Sequence, residues 1–193
     1  MKSYPVKLQL LILPAFLMSI STVSFADAIT GTSSVSATFT STIEAGTCNL
    51  QVKNGAGVAT SVVEFGDVFK SDLENKSRTE NFSLAFSQCS GVTTAVVGTE
   101  ISGGCSGPSS DGDSFPNSGG TAAATAVEIW KNSPDSGTQF SCINRATTQN
   151  IGIASASVDV PMTARMVVAN GRTIADVTAG SFISPITFVV TYQ

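Results

Sequence analysis

In the stretch ENFSLAFSQ, residues 80–88, Phe82, Leu84 and Phe86 fall on one side of a pleated ribbon and Ser83, Ala85 and Ser87 on the other. That period of two is the mark of a half-buried antiparallel strand. The same texture runs from Ile29 onward, with Val, Thr, Ser, Ala and Phe in alternating runs punctuated by Gly, Asn and Asp. It predicts strands over 35–44 (VSATFTSTIE), 47–53, 58–65 (VATSVVEF), 80–88, 92–98, 125–131 (TAVEIWK), 157–168 (SVDVPMTARMVV) and 182–192. Helix signals are weak and regular βαβ units are absent, so the expected fold is all-β and two-layered, a β-sandwich. Residues 70–79, KSDLENKSRT, form the most charged segment and read as a solvated connection with a helical turn. Residues 102–121, SGGCSGPSSDGDSFPNSGGT, have almost no capacity to bury surface. They are expected to be a flexible excursion or, on a sharper reading, a contact loop tethered through Cys105.

Two alternations stand out by position. Phe182, Ile186, Phe188, Val190 and Tyr192 share one apolar face of a strand that runs to Gln193, with nothing after it to turn back and pair. Ahead of Cys48, the residues Val35, Ala37, Phe39, Ser41 and Ile43 share a face opposite Ser and Thr. From the pattern alone this is either an ordinary first strand or a strand meant for another molecule. The first residues are an address label: Lys2 and Lys7 precede the short apolar core LQLLILPAFLMSI, and Ser24-Phe25-Ala26 offers a cleavage site, with Ala26-Asp27-Ala28 a second. The core is too short and interrupted for a membrane span. Removing residues 1–26 leaves 167 residues, enough for one domain.

The leader takes two of the ten basic residues and none of the fourteen acidic ones, so the remainder carries a net charge of −6. That argues against nucleic acid or an anionic membrane as partner. In an exported chain, Cys48, Cys89, Cys105 and Cys142 favour disulfides. Three pairings are possible; the sequential one, Cys48 with Cys89 and Cys105 with Cys142, is adopted. Each such bridge closes a loop of about forty residues and contributes about 4 kcal/mol in the chain-entropy account. Zinc is disfavoured, since there is no CxxC pair and no histidine. Lack of histidine also removes the commonest general base and the usual triads. Of the carboxylates Glu44, Glu64, Asp111, Asp113, Glu128 and Asp159, the Asp111-Gly112-Asp113 group suggests a calcium loop, but the rest of that pattern is missing. No catalytic site and no cofactor are expected.

The motif order resembles that of the chaperone–usher pathway fimbrial subunits, the type 1-like pilin family. AGTCNLQV surrounds the first cysteine, VVEFGDVF follows, FSLAFSQC runs into the second cysteine, and VPMTARMV precedes the terminal strand. Such pilins carry Gly fourteenth from the C-terminus and Tyr next to last, as Gly180 and Tyr192 stand here. The resemblance implies an incomplete immunoglobulin-like β-sandwich, lacking its last strand and completed by a donor strand from another subunit. It implies a signal peptide at 1–26, a donor-strand extension at 27–46 and a pilin domain at 47–193. Val35, Ala37, Phe39, Ser41 and Ile43 would be the donor face, and Gly180, Phe182, Ile186, Phe188, Val190 and Tyr192 the acceptor groove and chaperone contact. The implied partners are a periplasmic chaperone, an outer-membrane usher, other copies or related subunits, and a host-surface receptor for the assembled fimbria. The implied function is structural, a polymerising subunit of a surface fimbria contributing to cell adhesion; the alternative is a minor tip or adaptor pilin whose 102–121 loop binds a receptor. An adhesin's separate lectin domain has no room between Ala26 and Cys48. Three features depart from the family: Ser41 where similar pilins have Gly, Pro185 within the last strand, and the second cysteine pair with its loop.

Overall fold

Alternating side chains lead the backbone into two antiparallel sheets. The computed structural model describes residues 37–41, 44–145 and 148–193. Residues 37–41 belong to a unit separate from the body, Thr42–Gln193; they carry no helix or strand and are exposed. The leader at 1–26, and Val35 and Ile43 of the first alternation, lie outside the described residues.

The body contains β1 (Thr47–Asn54), α1 (Lys70–Glu74), β2 (Thr79–Ser90), β3 (Thr94–Glu100), β4 (Phe115–Pro116), β5 (Thr125–Lys131), β6 (Thr138–Phe140), β7 (Gln149–Gly152), β8 (Val158–Val168), a 3-10 turn (Ile174–Asp176) and β9 (Thr187–Tyr192). One sheet has the order β1-β2-β8-β5-β4, with β6 also on β5, and the other the order β7-β3-β9. The register sets Phe82 opposite Met162, Leu84 opposite Val160 and Ile129 opposite Ala164, so the predicted inward face of each strand meets its neighbour's. Leu84, Phe86, Met162, Phe115, Phe140 and Val97 are fully buried between the layers. The bridges are the sequential pairs, Cys48–Cys89 joining β1 to β2 and Cys105–Cys142 holding the loop before β4.

Two expected strands change. Residues 58–65 form no strand: Asn54 Oδ1 accepts from Ala56 N (3.1 Å) and Val58 N (3.0 Å), turning the chain back onto β1. Among the described residues a single bridge follows, Lys53 with Ala59, made by the bonds from Asn54 N to Val58 O and from Thr60 N to Val52 O, before the segment leaves the sheet. The alternation is right, but a strand needs a neighbour to bond with. The segment 182–192 alternates half-buried and exposed along its whole length, yet its ladder to β3 covers only 187–192. Pro185 has no N–H to give, and the residues before it bond elsewhere.

Outward-facing residues of the larger sheet include an unexpected charge cluster. Arg165 on β8 is 4% exposed and sits opposite Glu128 on β5. Its guanidinium donates to Glu128 Oε2 (2.8 Å) and in two bonds to Asp135 (2.5 and 2.8 Å), and its Cζ lies 5.6 Å from the centre of the Trp130 ring. Trp130 Nε1 also donates to Glu128 Oε2 (3.1 Å). The charge is buried only because each donor has an acceptor.

Arg165→Met should therefore lower stability by about 3 kcal/mol, because it removes the buried counter-charge of Glu128 and leaves it Trp130 Nε1 and the more distant Lys76 Nζ (3.7 Å); Arg165→Met with Glu128→Gln should recover part of that loss. Denaturant unfolding of the disulfide-intact chain, refolded with an excess of a synthetic peptide of residues 33–45, measures both. The hydrogen bonds from Arg165 hold the Asp135 carboxyl below the usual range. A carboxylate with a depressed folded pKa contributes fully above its unfolded pKa, about 3.9, and the contribution is lost as pH falls through the folded value. Asp135→Asn should leave a shallower loss of stability below about pH 4, read from unfolding midpoints of the same peptide-filled chain across a pH series.

Candidate strand-docking groove

Beside β9 the two layers do not close. The near bank of the opening is the segment 182–192. One edge of β9 is laddered to β3, and among the described residues no strand pairs with the other edge. The far bank is residues 61–69, chain outside any strand in which Val63, Phe65 and Val68 pack against the core while Val62 and Phe69 are exposed. Residues 61–68 make no backbone–backbone hydrogen bond among the described residues. Their main polar tether is the Arg78 guanidinium, which donates to the Phe65 carbonyl. Between the banks lies a groove of about 1250 Å³, floored by Phe82, Val127, Ile129, Ala164 and Met166. The combination is unusual: an apolar trough with unbonded backbone along both sides.

The near bank is held firmly. Phe188 packs against Phe82 (centroids 6.2 Å apart) and edge-on against Phe140 (5.9 Å). At its start, Gly180 lies so close to residues 121–122 that a Cβ there would stand 2.5 Å from Ala122 N and 2.7 Å from the Thr121 carbonyl carbon. Glycine is required by the approach of two backbones. The 3-10 turn ahead of it is closed by Asp176, whose carboxylate accepts from Thr173 N (2.8 Å) and Oγ1 (2.9 Å); these bonds hold its pKa below the ordinary value.

Of the residues assigned to the acceptor face, Gly180, Phe182, Ile186 and Phe188 line the groove. Val190 and Tyr192 continue the same face beyond its walls and pack on the core. Tyr192 Oη donates to the Cys48 carbonyl (3.1 Å), fastening the end of β9 to β1 next to the first disulfide. On the donor side, Phe39 is 93% exposed, and Ala37 and Ser41 are exposed as well.

The 102–121 loop is not the free excursion its composition suggests. Phe115 is 1% exposed and Ser106 0%, Ser106 and Ser114 share a hydroxyl hydrogen bond of 2.6 Å, and β4 pairs with β5. Asp111 accepts from Asn170 Nδ2 (2.9 Å) and Asp113 from the Ser141 hydroxyl, so each is engaged by a neighbour. The far end of the loop lies against residues 181–183 at the head of the near bank. Sequence reasoning missed this junction and the far bank; the signal for the junction is the density of Asn, Gly and Thr in NSGGT, residues 117–121, which apolar periodicity does not register.

The model of the Fimbrial protein family matches residues 37–193. The uncharacterized fimbrial-like protein YadL of Escherichia coli (strain K12) is 38% identical over 174 residues, 84% of this chain and 86% of the relative. Among solved structures, the P pilus rod subunit PapA is similar with a TM-score of 0.51 at 18% identity, covering 74% of this chain and 99% of that one. A chain from a chaperone–usher pilus, solved to explain rod uncoiling, is similar with a TM-score of 0.54 at 17% identity, covering 83% and 96%. Both of these solved structures are of pilus subunits, and they share the fold of this chain. With its open-sided sandwich and a family match over most of its length, the chain belongs to the Fimbrial protein family and is a subunit of a surface fimbrium.

Proposed function

We propose that this subunit polymerises by donor-strand exchange. Residues 35–43 of one copy, or the matching segment of a related subunit, fill the groove of the next; during export through the periplasm the groove is first filled by a chaperone, and an outer-membrane usher hosts the exchange. The resulting fimbria contributes to cell adhesion. In this reading residues 1–26 are a signal peptide, 27–46 the donor extension and 47–193 the pilin domain.

One observation carries the reading: an apolar groove whose two banks both present unbonded backbone. Only an extended chain satisfies both needs, with its backbone bonding the edge and alternate side chains entering the trough. Residues 35–43 carry the alternation that such a chain needs. Nine residues extend about 30 Å, and nine residues of the near bank run from Phe182 to Val190. Phe39, the largest side chain of the alternation, has no burial of its own.

Expressed without a partner strand, the chain is expected to aggregate or be degraded, and co-expression with a pilus chaperone should rescue it. Recovery of a soluble, cooperatively melting monomer with nothing in its groove would refute the proposal. For the donor assignment, Phe39→Ala should remove about 3 kcal/mol from the subunit–subunit contact once that ring is buried, whereas Thr40→Ala, on the opposite face, should matter far less. A subunit lacking residues 27–43 should accept a neighbour's strand and donate none, so mixing it with intact subunits should shorten fibres. Fibre length and complexes resistant to mild denaturant are the readouts; polymers of the truncated chain alone would sink the assignment.

A further inference from the structure

The near bank is longer than β9. Thr94 and Gln193 exchange both backbone hydrogen bonds (Thr94 N to Gln193 O, 3.0 Å; Gln193 N to Thr94 O, 2.8 Å). Because such pairs recur every second residue in an antiparallel ladder, Thr187, Val189 and Thr191 turn their backbone groups to β3, and Phe188, Val190 and Tyr192 turn theirs to the open edge. Upstream of Thr187 there is no more β3 to pair with, since that strand ends at Glu100. The turn at 117–122 takes its place. Asn117 uses its whole amide there: Nδ2 donates to Ser181 O (2.9 Å) and Ala122 O (2.8 Å), and Oδ1 accepts from Ile183 N (2.9 Å) and Gly120 N (2.9 Å). Ser118 N and Gly119 N donate to Ile183 O (3.1 and 3.0 Å), Ala122 N donates to Ser181 O (3.0 Å), and Ser181 N donates to Thr121 Oγ1 (3.0 Å).

Both backbone groups of Ser181 and of Ile183 are thus taken up on the β3 side, as those of 187, 189 and 191 are. The intervening Phe182, Ser184 and Ile186 have no backbone partner among the described residues. Pro185 falls in the odd-numbered set, so its missing N–H removes nothing from the open edge. Asn117 itself is delivered by the tethered loop: Cys105–Cys142 and the β4–β5 pairing fix its base, and Asn117 N bonds Thr125 O (3.2 Å).

We propose that Asn117 is a positioning residue for strand docking. Carried on the Cys105–Cys142 loop, it splints residues 181–183 into a continuation of β9, so that an incoming strand meets a bonding edge from Phe182 onward instead of one that starts at Phe188. The proposal rests on the groove being a strand acceptor. It assigns the second disulfide and its loop a task in assembly, that of setting the length of the docking edge.

The test is amide hydrogen exchange on the full chain, disulfides intact, refolded with an excess of a synthetic peptide of residues 33–45. The wild-type complex should protect the amides of Phe182, Ser184 and Ile186 together with those of Phe188 and Val190. Asn117→Ala should keep protection at Phe188 and Val190, lose it at Phe182, Ser184 and Ile186, and release the peptide about tenfold faster or more, as loss of backbone pairs requires. Gly120→Ala should act alike, because its Cβ would stand 2.1 Å from Ser181 O and 2.6 Å from Asn117 Oδ1. Wild-type protection confined to Phe188 and Val190 would overturn the proposal with no variant needed, and so would unchanged protection in both variants. Absence of protection at all five amides would overturn strand docking itself.

Discussion

A β-strand bonded along one edge only is the condition on which the rest of the molecule turns. Each backbone N–H and C=O left beside an apolar trough costs the free energy of an unmade hydrogen bond, and β9 leaves a row of them facing the groove. The fold makes no attempt to hide them: the far bank, which has the alternation of a strand, stays apart. What elsewhere is an aggregation hazard is here kept open, straight and of one register. The core explains how such a gap is tolerated, since Phe82, Phe140 and Phe188 lock the wall of the trough without sealing it.

Pairing outside the groove is correspondingly strict. Both disulfides tie down the ends of segments that border the gap, one beside Tyr192 through Cys48 and one beside Asn117 through the 105–117 loop. On the opposite side of the larger sheet, Arg165 is satisfied by Glu128 and Asp135 under the Trp130 ring, so no second unpaired site competes for attention there.

Legibility in the sequence follows from the same physics. The strand TAVEIWK was readable at its full extent because its side chains alternate and its partners lie in this chain. The face shared by Phe182, Ile186 and Phe188 was readable for the first of those reasons, but the true ladder, six residues long, was not, since where the bonds stop depends on the length of β3. VATSVVEF was misjudged for the complementary reason: periodicity reports which way side chains point and is silent on whether a neighbour is present. The 102–121 loop was undervalued because its worth lies in hydrogen bonds to bare backbone rather than in apolar area, and one asparagine among glycines and serines leaves no periodic trace. Arg165 was visible only as part of a family motif; that it is buried follows from Trp130 and Asp135 arriving over it from β5 and the turn beyond.

The two banks differ in stiffness. The near bank is anchored by a ladder, by aromatic packing and by a covalently tethered turn, whereas residues 61–68 hang from the Arg78 guanidinium and three half-buried side chains. Segments with so few bonds open locally at small free-energy cost. In the proposed docking, entry would be a hinged event on one side: the far bank would yield while the near bank acted as a ruler, and a strand of the wrong spacing would meet the wall that does not move. Under that proposal, tightness of grip and choice of occupant would reside in different halves of the same trough, and a looser or firmer clamp would not alter which neighbours are accepted.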